Sequence, residues 1–372
     1  MTEALQQVSA QRSPLHEMHL RLGATMFESD GWLIPVSYGD ELFEYASVRE
    51  RGVGILDLSS RGRLIVTGSE AVQFLNGLIT NDMKTLEEGH WMPAAFPNVQ
   101  GRLIASVRIA RRRDYFLIDT EAATHAEVWK SLERFTLAGD FRVSDVTSQT
   151  VLLSVQGQNA AEIIRSQLGS TVAVIPKNGL GQTVFLENEV TVLRATHTSE
   201  DGFDLLASSN DAEGIWESLA NAGARPVGHD ALEKLRIEAG VPRYGVDMDA
   251  TTIVTEALDD AVSYTKGCYV GQEIIARIKY RGHVAKKLMG IDFGQLVKPG
   301  KDSKIMTSDG REIGRLTSVT SSPHLGRTIA LGYVKYDYIS PGTEVTAVAN
   351  AGAVRAQIHE LPFVRGSWYR DW

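Results

Sequence analysis

The chain has 372 residues, 43% hydrophobic and 23% charged, with one cysteine and a formal net charge of −8. At roughly 100–200 residues per domain this predicts two or three domains, and the composition excludes wholesale disorder. One cysteine cannot close a disulfide within the chain or build a cysteine-rich metal site, no apolar run approaches the ~18 residues of a membrane span, and a net acidic chain is a poor general nucleic-acid binder. The N-terminus, MTEALQQVSAQRSP, lacks a basic stretch followed by an apolar core. A cytoplasmic setting without a secretory signal is therefore expected, with neither membrane nor nucleic acid as partner.

In chain order, the polar residues 1–14 are expected to be poorly ordered. Trp32–Leu33–Ile34–Pro35–Val36 is a short apolar segment, and Asp40–Glu50 reads as a helix leading to Ile55–Leu56–Asp57. Arg63–Leu64–Ile65–Val66–Thr67 predicts a strand. The helix beginning at Glu70 has Ser69 as its expected cap. Turns follow at Thr80–Asn81–Asp82 and Glu87–Glu88–Gly89. Residues 102–110 and 115–119 predict a hairpin across a solvated turn of three arginines, and 122–137 an amphipathic helix.

The scheme then restarts. A strand at 151–155, a helix at 158–168, paired strands at 189–194 and 203–206, and a helix at 211–222 repeat the first succession, which predicts two similar α+β units. One more helix, 229–239, stops at Gly240 and Pro242. After Leu288 helical periodicity is lost, and short strands at 289–293, 311–318, 328–335 and 343–348 predict an all-β module of about 80 residues.

Charge is unevenly distributed. From Lys266 to Lys287 six cations face the single Glu273, giving +5 with His283 neutral, so the remaining chain carries about −13. Such an island suits an anion-facing surface, although a solvated helix face is the plainer reading of a basic run. The sole cysteine, Cys268, lies at its head between Gly267 and Tyr269, just before a helix predicted to start near Gln272. A helix N-terminus and a nearby lysine, Lys266, favour thiolate. A buried structural cysteine is the alternative, but Lys266, Tyr264, Tyr269 and Gln272 make a polar setting. No phosphate-binding loop, dinucleotide fingerprint or H-E-x-x-H motif is present. The alternating carboxylates of Asp247–Met248–Asp249 read as a polar turn after Tyr244–Gly245, not as a metal site.

Several segments together resemble one known family. Trp32–Gly39, Phe74–Asp82 (FLNGLITND), Thr198–Asp204 (TSEDGFD), Leu235–Gly240 (LRIEAG) and the Ser318–Gly326 stretch are similar to motifs of the glycine-cleavage T-protein (aminomethyltransferase) superfamily. Lys266–Gly267–Cys268–Tyr269–Val270–Gly271–Gln272–Glu273 resembles the signature of its YgfZ-type folate-binding branch. The resemblance spans about Gly31 to Val364 and implies a three-domain α+β cloverleaf around a central folate channel. It implies a discontinuous α+β domain of residues 1–55 and 146–285, a related α+β domain of 56–145, and a β-barrel of 286–372.

The resemblance also implies tetrahydrofolate or a derivative as cofactor. Asp204 falls at the position of the pterin-recognising carboxylate, Asp119 where T-proteins often carry a pterin-contacting Asn, and further folate contacts fall on Asn98, Arg236 and Tyr264. Arg277, Lys279 or Arg281 would meet the anionic glutamate tail. Cys268 and Lys266 are the expected reactive pair. Where T-proteins carry two aspartates this chain has Ala105 and Ser106, neither of which can act as a carboxylate base. Leu232 stands where the family has an arginine. The leading expectation is thus folate binding in support of iron–sulfur cluster assembly or repair in client enzymes. The alternative is folate-dependent aminomethyl transfer or demethylation.

Overall fold

The computed structural model describes residues 10–50, 52–349 and 352–370. Most of the segment expected to be poorly ordered, residues 1–9, lies outside these. Strand β1 (Gln11–Arg12), helix α1 (His16–Arg21) and strands β2 (Thr25–Ser29) and β3 (Trp32–Ser37) form a small sheet in the order β1-β3-β2. Helix α2 (Glu41–Arg49) follows, its N-terminus capped by the Asp40 carboxylate, which accepts from Phe43 N, and it leads to strand β4 (Gly54–Asp57).

The first large sheet runs β6-β7-β8-β5-β9. Its elements in chain order are β5 (Gly62–Thr67), α3 (Ala71–Leu78), β6 (Trp91–Pro97), β7 (Leu103–Arg111), β8 (Phe116–Thr120), α4 (Ala122–Glu133) and β9 (Arg142–Asp145). Two local expectations need correction. Ser69 does not cap α3: its hydroxyl and N–H both donate to Asp140, which ties the start of α3 to the start of β9. Helix α4 stops at Glu133, and hydrogen-bonded turns replace it over the remaining residues to 138.

The second unit repeats the plan with β10 (Thr150–Gln156), α5 (Ala160–Leu168), α6 (Ser170–Ala173), β11 (Leu180–Phe185), β12 (Asn188–Arg194), β13 (Gly202–Ser208), α7 (Ala212–Asn221) and β14 (Arg225–Pro226). Its sheet order is β11-β12-β13-β10-β4-β14, so β4 from before the first unit completes it.

Each sheet buries one face under its own helices. Leu64, Val66, Phe96 and Ile109 pack beneath Leu75 of α3 and Val128 and Leu132 of α4. Leu153, Val155 and Leu205 pack beneath Ile164 of α5 and Trp216 of α7. The opposite faces meet each other through Ala110, Leu117, Leu152, Leu193 and Leu206. Successive strand residues alternate between these two environments, as a pleated sheet buried on both faces requires.

Helix α8 (His229–Glu238) connects this pair of sheets to the barrel, and α9 (Val254–Ala257) and α10 (Gln272–Arg281) follow it. The barrel strands are β15 (Lys286–Asp292), β16 (Lys304–Met306), β17 (Glu312–Ser322), β18 (Arg327–Lys335), β19 (Glu344–Ala349) and β20 (Gly352–His359), closed in the order β15-β18-β17-β16-β19-β20. This is the α+β architecture with a terminal barrel that the sequence predicts.

A buried ionic cluster joins the parts. Arg49 donates to Glu200 at 2.6 Å and to Glu238 at 2.7 Å. Glu238 also accepts from Tyr45 and from barrel residue Ser322, and Glu200 accepts from Ser367 in the C-terminal segment. Removing one member of such a buried set leaves uncompensated charge, which costs far more than the intact pair contributes. Arg49→Ala is therefore expected to lower unfolding free energy by about 3–5 kcal/mol, measured by urea denaturation. Adding Glu238→Gln should return part of that loss; additive losses in the double variant would reject the coupling.

Candidate functional site

A cavity of about 170 Å³ sits where the two α+β units meet α8. Ile34 of β3, Leu58 after β4, Ala122 at the start of α4, and Leu232 of α8 supply apolar wall. Arg61, Glu121, His197 and Arg243 supply polar groups. Its volume is below the ~300–1,000 Å³ usual for a whole drug-sized ligand.

Two of these polar groups are held from behind. Asp119 in β8 stands directly across from Arg108 in β7. Arg108 donates to Asp119 at 2.6 Å and reaches across to Asp204 of β13, in the other sheet, at 2.5 Å. Asp119 also accepts from Arg61 at 2.7 and 3.2 Å, and Asp204 lies 3.0 Å from His197 Nε2. Both aspartates are buried, Asp204 completely. Burial disfavours their ionisation, but Arg108 and Arg61 beside Asp119, and His197 and Arg108 beside Asp204, outweigh it and hold both carboxyls below the usual aspartate range. With most acceptor positions filled, the two carboxylates act on the cavity through Arg61 and His197, whose side chains stay 22% and 19% exposed.

Glu121 is different. It makes no ion pair within 4 Å among the described residues and accepts only from the Tyr244 backbone N–H, at 3.2–3.3 Å. Burial raises its pKa, and the charges of Arg61, Arg243 and Arg236 offset this only in part. It is one of three carboxyls on the cavity wall, with Asp30 and Glu233. Arg236, also on that wall, is saturated by Glu233, Asp247, Ser318 and the Val241 carbonyl, which makes it a strut between α8 and the barrel.

The other residues singled out from sequence gather elsewhere, on one edge of the first unit. Lys266 Nζ donates to the carbonyls of Asn76, Ile79 and Asn81 at 2.7, 2.9 and 2.6 Å, clasping the C-terminal end of α3. Burial pulls its pKa down to about 8. Three carbonyl acceptors nevertheless need three N–H donors, which only the ammonium has, and none is then left for the Cys268 sulfur. Cys268 is exposed, four residues before the first residue of α10. The Asn98 side chain closes the 98–102 turn by accepting from Gln100 and Arg102 N–H. Gly271 has φ +76°, and a Cβ there would meet the Asn98 carbonyl at 2.4 Å, so the glycine permits that turn to touch the signature segment. Tyr264 lies under Lys279, 4.8 Å from its ring centre.

Of the residues expected to meet a folate tail, neither Arg277, paired with Glu273, nor Lys279 lines the cavity, and the Arg281 side chain lies outside the described residues. Ala105 faces the helix-covered core and Leu232 the cavity, while Ser106 shares the inter-sheet face of β7 with Arg108.

Sequence reasoning missed Arg61, Arg108, Glu121, His197 and Arg243. A single arginine inside the apolar run RLIASVRIA was the available signal for Arg108. Nothing local marked its partner 96 residues away.

Comparison with known proteins gives a consistent picture. The GCVT N-terminal domain model matches residues 15–266, and the glycine cleavage T-protein C-terminal barrel domain matches 286–365. Similar curated proteins are the aminomethyltransferases of Thermotoga neapolitana, 31% identical with 97% of this chain and 99% of that one covered, and of Rubrobacter xylanophilus, 33% identical with 95% and 94% covered. The crystal structure of glycine cleavage system aminomethyltransferase T from Bartonella henselae superposes with a TM-score of 0.88 at 24% identity, covering 96% of this chain and 99% of that one.

The raised pKa of Glu121 has a consequence for stability. Its folded-state charge is penalised from about the ordinary value of 4.5 upward, so stability drains as pH rises through the raised value. Glu121→Gln is expected to match the parent near pH 4 and to melt about 2 °C higher at pH 8, followed by circular dichroism; a shift of equal size at both pH values would discard this account.

Proposed function

We propose, because this chain belongs to the glycine-cleavage T-protein (aminomethyltransferase) family, that it holds a reduced folate in the central cavity and acts as a folate-dependent one-carbon transferase. The supporting observation is the build of the cavity: apolar walls, with Arg61 and His197 fixed from behind by buried carboxylates. A tetrahydrofolate, when bound, supplies a ring nitrogen able to carry a one-carbon unit.

The chain's own residues divide the work. Arg61 has guanidinium N–H groups beyond the two on Asp119, and these suit a carbonyl oxygen on a pterin edge. His197 keeps Nε2 on Asp204, which leaves its other ring nitrogen for the ligand. Leu58, Ile34 and Leu232 exclude water and offer flat apolar contact. With Ala105 and Ser106 in the aspartate positions, the carboxyl able to hold and return a proton is Glu121.

Tetrahydrofolate is expected to bind the purified protein, and His197→Ala or Arg61→Ala to weaken it about tenfold or more, by calorimetric titration. A parent protein that does not bind tetrahydrofolate removes the proposal. Formation of methylenetetrahydrofolate from a lipoyl-bound aminomethyl donor is the matching activity assay.

The exposed thiol supports a second reading, the YgfZ-type one. Here the same folate site serves a protein that assists iron–sulfur cluster assembly or repair, with the exposed Cys268 sulfur presented to client or assembly proteins. One thiolate cannot hold a cluster that takes four ligands, so any cluster contact is shared with a partner. Cys268→Ala should then abolish support of iron–sulfur enzymes in cells lacking the parent protein while folate binding persists. Full client activity with Cys268→Ala would eliminate this reading.

A further inference from the structure

The cavity adjoins a larger space. Glu233 and Arg243 line both the cavity and an open groove of about 670 Å³ between α8 and the barrel. The groove is walled by one face of α8, by the Thr317–Ser321 stretch of β17, and by the loop carrying Lys298 and Lys301.

Its charge is not balanced from within. Four cations face three carboxylates. Glu41 is taken by Lys234 at 2.8 Å, and both oxygens of Glu233 are taken by Arg236 at 2.7 Å. Arg243 contacts Glu233 at 3.5 Å and His229 Nε2 at 3.3 Å, and its buried Nε has no hydrogen-bond partner among the described residues. Lys298 and Lys301 make no ion pair among the described residues. Because Arg236 also pairs with Asp247, the groove and its backing together hold five cations and four carboxylates, an excess of one positive charge. The lysine loop is also anchored: Thr328 Oγ1 accepts from the Val297 N–H and donates to the Val297 carbonyl, at 3.0 and 2.8 Å.

We propose that this groove receives the γ-linked polyglutamate tail of a folate whose head occupies the central cavity, with Arg243 at the junction and Lys298 and Lys301 meeting the carboxylates farther out. The assignment rests on the folate reading above. It fits the chemistry of the ligand, since an extended chain with one carboxylate per residue needs spaced cations and not a closed pocket. The hydroxyl-rich wall of β17 tolerates a hydrated polar chain, and an anchored loop holds its cations in place before binding.

The test compares tetrahydrofolate mono-, tri- and pentaglutamate by calorimetric titration at low and high salt. The triglutamate is expected to bind about tenfold more tightly than the monoglutamate at low salt, the yield of two partly exposed ion pairs, with the difference shrinking at high salt. In Lys298→Glu/Lys301→Glu the tri-to-mono ratio should fall to about one, whereas Lys335→Glu, on the barrel away from the groove, should leave it as in the parent. Equal affinity for all chain lengths in the parent would overturn the groove assignment while leaving the folate site standing. A length preference that survives Lys298→Glu/Lys301→Glu would overturn it as well. Failure to bind any of the three would overturn both.

Discussion

The buried bridge Asp119–Arg108–Asp204 is the constraint on which the rest of the centre depends. Two sheets that meet through leucine and alanine could slide over one another with little change in apolar area, because such contact is non-directional. A guanidinium shared by one carboxylate from each sheet removes that freedom, since its planar fork accepts few geometries. The same two carboxylates orient Arg61 and His197, so sheet register and cavity chemistry are set together. Trp91 covers the Arg108 guanidinium 5.6 Å away and helps to exclude water from it.

A second organising point is the clasp at the end of α3. The Phe74–Asp82 motif, the Asn98 turn and the Lys266–Glu273 signature are separate in sequence but meet in space through Lys266, the Val270 N–H bonded to the Gly77 carbonyl, and the close approach at Gly271. Sequence resemblance singled out each of these segments, yet their meeting is visible only once Lys266 is seen to complete a helix end. A lysine beside a cysteine invites a chemical interpretation. Here the ammonium answers to carbonyl dipoles left unpaired at a helix C-terminus.

Strong periodic segments were legible without coordinates. The β7–β8 hairpin, the β12–β13 pair, and helices α2, α5, α7 and α8 match their predicted positions within a few residues. The strands that escaped notice in the two sheets, β6, β9, β11 and β14, all lie at edges. An edge strand needs less apolar pattern and tolerates proline, and β6 carries Pro93 and Pro97. In the barrel β16 and β20 also escaped notice: β16 is three residues long, while β20 does carry a period-two pattern in Val354, Ala356 and Ile358. The site was harder. Asp119 and Asp204 could be named from motifs, but whether a carboxylate greets a ligand or anchors an arginine depends on a neighbour from another sheet, and no local pattern encodes that.

The exposed Cys268 is also the chain's one sulfhydryl. Its covalent valence is therefore one. Under oxidising conditions each molecule can join a single thiol-bearing partner and then has nothing left to extend from, so disulfide growth ends at pairs or mixed adducts and never at chains. For the same reason any reagent specific for thiols will mark this protein at one known place, on a segment that Lys266 clasps to the end of α3.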